Sequence, residues 1–133
     1  MSGARLVPQP DGLNGEFYEH ARAGQLCFQR CDACDAWRHP PRRRCAACGS
    51  DAYRWEPSAG RGRLFSWTVT HQPFDPSFAD RVPYVTGLVE MAEGPRVVAL
   101  VDGDRSDLRL DREVEIALDP SVPGAGLLVC RLV

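Results

Sequence analysis

Apolar residues recur along this chain at two different spacings, and the change of spacing divides it. Over residues 13–23, Leu13, Phe17 and Ala21 fall at every fourth position with Tyr18 beside them, which marks one face of a helix. Gly24 stands where a helix-ending glycine belongs. A helix this short is marginal in water, so its aromatic face must dock, on its own domain or on a partner subunit. From residue 26 onward the period falls to two, the signature of strands. Residues 26–30 and 51–56 read as short strands, the second carrying Tyr53 and Trp55. Longer strands are expected at 63–71, 84–91, 96–101, 113–118 and 127–133. The alternation is strictest at 113–118, where Val114, Ile116 and Leu118 face one way and Glu113, Glu115 and Ala117 the other. Ala92-Glu93-Gly94-Pro95 is a hairpin turn. Gly60 and Gly62 flank the start of the first long strand, where a barrel strand must bend. Five strands with a bent first one predict a small Greek-key barrel of the OB type. Helical content beyond residue 24 is expected to be negligible.

Between the two short strands the pattern is one of ligands. Cys31-Asp32-Ala33-Cys34 is followed, after ten residues, by Cys45-Ala46-Ala47-Cys48 and then Gly49. Each Cys-x-x-Cys pair can turn two sulfurs to one side of a tight knuckle. Two facing knuckles then place four thiolates at the corners of a tetrahedron, the geometry of a structural zinc ion. One such pair alone would also fit a redox motif; two with a hairpin-sized spacer fit a closed zinc site. The spacer, Trp37-Arg38-His39-Pro40-Pro41-Arg42-Arg43-Arg44, is expected to be an extended hairpin arm, because its prolines favour extended backbone and cannot donate to a ladder. With little apolar material in this segment, the metal is expected to supply the stability, on the order of 10 kcal/mol or more. The expected organisation is a lead and docking helix at 1–24, a zinc ribbon at 25–57, and an OB barrel at 58–133, with a short hinge at 57–60. The fold class is therefore mainly β.

Composition then removes several classes of function. The chain has 133 residues, enough to bury about two-thirds of its unfolded surface around one core. No run of 18 apolar residues exists, so no membrane span is expected. Residues 1–11 lack the basic start and apolar run of a signal peptide. The six cysteines then read as reduced thiols and metal ligands of a cytoplasmic protein. All sixteen basic residues are arginine. Without lysine there is no Schiff-base chemistry, no lysine general base and no P-loop. The net charge of −2 hides a division. Residues 30–63 hold eight arginines against four acids, a balance of +4, whereas residues 64–133 hold six arginines against eleven acids. Four thiolates and one zinc ion carry −2 together, which lowers the ribbon to about +2.

The longest irregular stretch expected in the barrel is 72–83, with three prolines, Phe74 and Phe78. A loop this long in a compact domain is more often functional than idle, and its aromatics suit an interface or ligand better than a satellite cluster. His71 at its mouth is the histidine best placed for a site, but no nucleophile or base accompanies it. His39 reads as a surface residue of the arm and His20 as a solvated helix residue. Cys27 reads as a strand residue rather than a fifth ligand. Cys130 reads as a small buried hydrophobe. Asp102, Asp104 and Asp107 surround Gly103 without the rest of a calcium loop and read as a turn. With four sulfurs closing the zinc site, no coordination position is left for catalysis.

Taken in order, Cys31-x-x-Cys34, Pro40-Pro41-Arg42, Cys45-x-x-Cys48-Gly49, Gly60-Arg61-Gly62 and Ser66-Trp67-Thr68 resemble the zinc-ribbon/OB-fold family called acyl-CoA-associated, formerly a domain of unknown function. The likeness covers residues 13–133. Two positions depart from the family pattern: residues 110–114 lack the usual glycine, and Cys130 stands where a phenylalanine is usual. The resemblance implies an accessory subunit in a hetero-oligomer with a thiolase-like enzyme, in some cases beside a MaoC-type hydratase or hydroxymethylglutaryl-CoA synthase. Such complexes make or break carbon–carbon bonds, on steroid side chains in one branch and on phenolic polyketides in another. The implied cofactor is one structural Zn2+, with acyl-CoA as a candidate ligand. Catalytic residues would then belong to the partner. The residues expected to face substrate or partner are Arg42, Arg61, His71, Phe74, Phe78 and Arg81. The competing class is a nucleic-acid-binding module, since ribbons and OB barrels both bind nucleic acids and Arg42–Arg44 lie near Trp37, Tyr53 and Trp55. The acidic barrel weighs against it, because acid repels a phosphate backbone.

Overall fold

The computed structural model describes residues 6–133. The start of the lead, residues 1–5, lies outside the described residues. Residues 6–11 are irregular and draped: the Arg22 Nη2 donates to the Pro8 carbonyl at 3.3 Å. Helix α1 spans Gly12–Arg22, with His20 and Arg22 in its last turn where cations favour the helix dipole. Gly24 ends it at φ 92°, and its N–H donates to the Ala21 carbonyl at 3.0 Å.

The ribbon is a three-stranded antiparallel sheet. Strand β1 (Cys27–Cys31) runs between β2 (Trp37–Arg38) and β3 (Tyr53–Pro57). Only the first two residues of the arm pair with a strand; the prolines take the rest out of the ladder, as their missing N–H requires. The ribbon is less hollow than its composition suggests. Phe28 is fully buried, and the Phe17 and Phe28 rings flank His39 at centroid distances of 4.9 and 5.2 Å.

The five later strands are β4 (Arg61–Thr70), β5 (Tyr84–Met91), β6 (Arg96–Asp102), β7 (Glu113–Leu118) and β8 (Leu128–Leu132). They close in the order β4-β5-β6-β8-β7, and β4 meets β7 to complete the barrel. All pairings are antiparallel except β6 with β8. A bend is expected at Gly60 and Gly62, at the start of the first barrel strand; the irregularity in β4 lies further along, a bulge between Leu64 and Ser66 that leaves Phe65 and Ser66 both exposed. Gly62 sits where β4 crosses β5 so closely that a Cβ would lie 2.6 Å from the Glu90 carbonyl oxygen. Before β7, Asp111 takes φ 63°, and its N–H donates to the Leu64 carbonyl at 2.9 Å. The tight turn survives because aspartate is one of the few side chains that tolerate the left-handed region.

Phe17 and Phe28 belong to the same core as Leu64, Val89, Met91, Val97, Val114, Ile116 and Cys130. The helix therefore docks on its own chain. Its Glu16 carboxylate accepts hydrogen bonds from Tyr53 Oη at 2.8 Å and Trp55 Nε1 at 3.0 Å. At its far end the backbone of Gly126, in the β7–β8 loop, comes so close to Ala21 that a Cβ on Gly126 would lie 3.1 Å from the Ala21 methyl. The hinge is clasped as well: the Glu93 carboxylate accepts from Ser58 Oγ at 2.9 Å and from the Ala59 N–H at 2.8 Å. Cys130 is fully buried in the core, and burial pushes its thiol up to about 11, as befits an inert small hydrophobe. No described helix is long and apolar enough to cross a membrane.

Candidate functional site

The two knuckles repeat one backbone design. In the first, the Asp35 N–H donates to the Cys31 carbonyl at 2.9 Å; in the second, the Gly49 N–H donates to the Cys45 carbonyl at 2.8 Å. Both turns close through a left-handed residue, Asp35 at φ 63° and Gly49 at φ 78°. The four sulfurs of Cys31, Cys34, Cys45 and Cys48 lie within 4.8 Å of one another, with the Cys31–Cys48 and Cys34–Cys45 pairs at 3.6 Å. A tetrahedron with ~2.3 Å zinc–sulfur bonds has edges of about 3.8 Å, which the two 3.6 Å pairs approach, so the donor set suits a zinc ion. Hydrogen bonds from the backbone N–H groups of Cys48 and then Ala47 favour the Cys45 thiolate and draw its pKa down to about 6. Cys27 is buried and is not part of the cluster; burial raises its thiol.

Arg54 on β3 fixes the first knuckle from outside. It donates to Asp32 at 2.9 Å, Asp35 at 2.8 Å and Glu56 at 2.8 Å, and reaches the Cys31 carbonyl at 3.4 Å. Its hydrogen bonds hold the Asp35 and Glu56 carboxyls below the usual carboxylate range.

The arm is anchored by two buried polar residues that the sequence reading passed over. Gln29, fully buried on β1, pairs with Arg42 as a strand would: its Nε2 donates to the Arg42 carbonyl at 3.0 Å, and its Oε1 accepts the Arg42 N–H at 2.7 Å. Arg38, 5% exposed, adds Nε to the same carbonyl at 3.0 Å, and its guanidinium lies 5.3 Å from the Tyr53 ring centroid. Strand parity puts Gln29 on one face with Cys27 and Cys31, but Phe28 on the opposite face is buried as well, so alternation by itself could not single Gln29 out.

His39 corrects the expectation of a surface histidine. Its ring is held between Phe17 and Phe28, its Nδ1 is buried without a hydrogen-bond partner, and burial pushes its pKa down to about 4. His20 likewise stacks near Trp55 at 5.6 Å rather than standing free in water. With Pro40 and Pro41, His39 lines a crevice of about 550 Å³ between ribbon, helix and barrel, whose other walls include Tyr18, Val98 and Leu128. The unfolded chain binds a proton on this histidine near pH 6.5, and the folded chain only near pH 4. Stability carried by the neutral ring is thus complete above pH 6.5 and lost as pH falls toward 4. Replacing His39 by Leu is expected to make urea stability less dependent on pH between 7 and 5, by about 1–3 kcal/mol relative to wild type. Equal pH dependence in the two proteins would refute this.

The other expected site residues fall in separate places. Arg42 is exposed on the arm. Arg61 lines a polar groove of about 750 Å³ with Arg63, Glu113 and Glu115, and none of the other expected residues lines it. His71, Phe74, Phe78 and Arg81 share the β4–β5 loop. There Phe78 packs on Tyr84 at 5.2 Å, the Arg81 guanidinium lies 5.8 Å from the Phe78 ring, and Phe74 is 83% exposed. In place of the simple turn expected at the aspartate cluster, Asp102 ends β6, Asp104 accepts the Ser106 N–H at 2.9 Å as the cap of a short 3-10 helix at Arg105–Asp107, and Asp107 lies in that helix.

Two family descriptions match in tandem: the ChsH2 rubredoxin-like zinc ribbon domain over residues 19–54 and the ChsH2 C-terminal OB-fold domain over residues 55–119. A probable enoyl-CoA hydratase alpha subunit of Thermomonospora curvata is 38% identical over 116 residues, covering 86% of this chain and 35% of that protein. The chain thus spans about a third of that relative's length. A DUF35 domain-containing scaffold protein of Methanothermobacter thermautotrophicus is 32% identical, covering 60% of this chain and 76% of the relative. The benzoylsuccinyl-CoA thiolase subunit BbsA of Thauera aromatica is 28% identical, covering 73% and 65%. Among solved structures, a chain of the Ltp2-ChsH2(DUF35) aldolase superposes with a TM-score of 0.84 at 34% identity, covering 94% of this chain and 98% of that one.

Proposed function

Because this chain belongs to the ChsH2 family of zinc-ribbon/OB-fold proteins, we propose that it is a non-catalytic scaffold subunit of a thiolase-type enzyme acting on acyl-CoA or related acyl substrates. The observation that carries this reading is the superposition, over nearly the whole length of both chains, on a chain of an aldolase complex. The names of the relatives add a thiolase subunit, a scaffold protein and a hydratase alpha subunit, and a hydratase is the second partner we propose. Retro-aldol cleavage, Claisen condensation and acyl transfer are the reaction types such a complex would carry out. The zinc site is closed by four sulfurs and serves as architecture. The surfaces it positions are the arm, the crevice and the β4–β5 loop. The crevice, walled by proline, aromatic and aliphatic side chains, suits an apolar acyl or pantetheine segment.

Co-expression with the thiolase-type protein encoded beside it is expected to give a stable hetero-oligomer whose turnover requires both chains. Failure to form a complex, or full turnover by this chain alone, would overturn the reading. Within that complex, alanine at Phe74, Phe78 and Arg81 together is expected to weaken assembly about 100-fold, the loss typical of an aromatic and arginine anchor. Intact assembly and activity in the triple variant would reduce the loop to packing.

A further inference from the structure

We infer that the ribbon arm is a pre-built docking surface for an acidic face of the partner subunit, with Arg42 and Arg43 as its contact residues and Gln29 and Arg38 as positioning residues. This rests on the scaffold reading and adds which surface engages and what chemistry meets it. The arm has two sides. Its backbone is bound inward: the Arg42 N–H and carbonyl go to Gln29, Arg38 adds to that carbonyl, and Arg38 Nη2 reaches the Arg43 carbonyl at 3.5 Å. With the Arg42 and Arg43 carbonyls turned in, the arm presents Arg42, Arg43 and Arg44 to solvent on a backbone that bends at residues 43–44.

These arginines are not neutralised within the chain. Among the described residues the Arg42 and Arg43 side chains have no hydrogen bond or ion pair, and Arg44 donates only to the Gly49 carbonyl at 3.1 Å. Three of the ribbon's four acids are engaged elsewhere, Asp32 and Asp35 with Arg54, and Glu56 with both Arg54 and Arg30; the fourth, Asp51, is exposed and pairs with none of the arm's arginines among the described residues. A second observation is independent of the surface charge. Arg38, a guanidinium 95% out of solvent by its 5% exposure, is paired with no carboxylate, and its Nη1 is buried without any partner. The adjacent zinc site, at about −2, offsets part of this charge, but the buried Arg38 without a carboxylate and the unpaired Arg42 and Arg43 leave the outer face of the arm positive. An acidic protein face supplies the counter-charge, and such pairs steer encounter and fix register.

The test uses the complex described above. Arg42→Glu with Arg43→Glu is expected to weaken it about 100-fold or more and to flatten its salt dependence between about 50 and 500 mM NaCl. Zinc content and thermal unfolding should stay at the wild-type level, since neither side chain packs. Gln29→Leu, which keeps volume but releases the arm, is expected to weaken binding about 10-fold through a faster off-rate, with zinc retained. Arg109→Glu, exposed on the barrel, serves as the control. Wild-type affinity and salt dependence in the double variant would overturn the docking surface while leaving the scaffold reading standing. Retardation of single-stranded RNA that the double variant abolishes would overturn it in favour of nucleic acid. Absence of any complex would remove both readings.

Discussion

Replacing Cys45 by serine, or stripping the metal under reducing conditions, is expected to unfold the ribbon. The four sulfurs sit within 4.8 Å of one another at the ends of three short strands, the longest of five residues. Sheets that small are not stable in water by themselves. Four thiolates this close repel each other unless a cation holds them, so the metal and the knuckles stand or fall together. The loss is on the order of 10 kcal/mol at neutral pH. Elemental analysis should give one zinc per wild-type chain and far less in the variant. The Trp55 indole, bonded to Glu16 at 3.0 Å, should report the change by fluorescence, because the helix loses its seat when β3 does. A metal-free protein with wild-type fluorescence and unfolding would show that packing alone holds the ribbon.

Truncating Phe28 to alanine should cost about 3–5 kcal/mol, the range for an aromatic side chain deleted from a full core. Phe28 has no exposed surface, touches His39, and belongs to one core with Leu64, Val89 and Val114 of the barrel. The residue lies on the ribbon, yet ribbon and barrel probes are expected to shift together in urea, in one transition. A loss under about 1 kcal/mol, or a ribbon transition well separated from that of the barrel, would argue that the two sheets stabilise independently.

These two expectations draw on different levels of the molecule. The first was legible from spacing alone: two Cys-x-x-Cys pairs can do little else with four sulfurs. The strand positions were legible for a similar reason. Val114, Ile116 and Leu118 alternate with polar or small residues, and a period of two leaves few alternatives. Even without a glycine the turn before β7 closes, since Asp111 itself reaches the left-handed conformation. The second expectation was not legible. A ribbon with few apolar residues gave no hint that Phe28 would share a core with the barrel, because that depends on how the helix and arm fold over it.

The arm shows the same division. Its prolines and arginines announced an extended, basic segment; the structure keeps the arginines on the surface, but beyond β2 the backbone bends at residues 39–40 and 43–44 instead of running extended. What holds it was hidden: Gln29 is an ordinary polar residue until β2 and the arm fold back and cover it. His39 looked like a surface residue between Arg38 and Pro40, and is half-buried because Phe17 arrives from the helix and Phe28 from β1. The sequence by itself determined what local chemistry dictates, namely the zinc ligands, the strand periods, the helix and its glycine stop. Tertiary structure decided which polar groups are buried and which charges are left unpaired, because burial and pairing belong to contacts between segments distant in the chain.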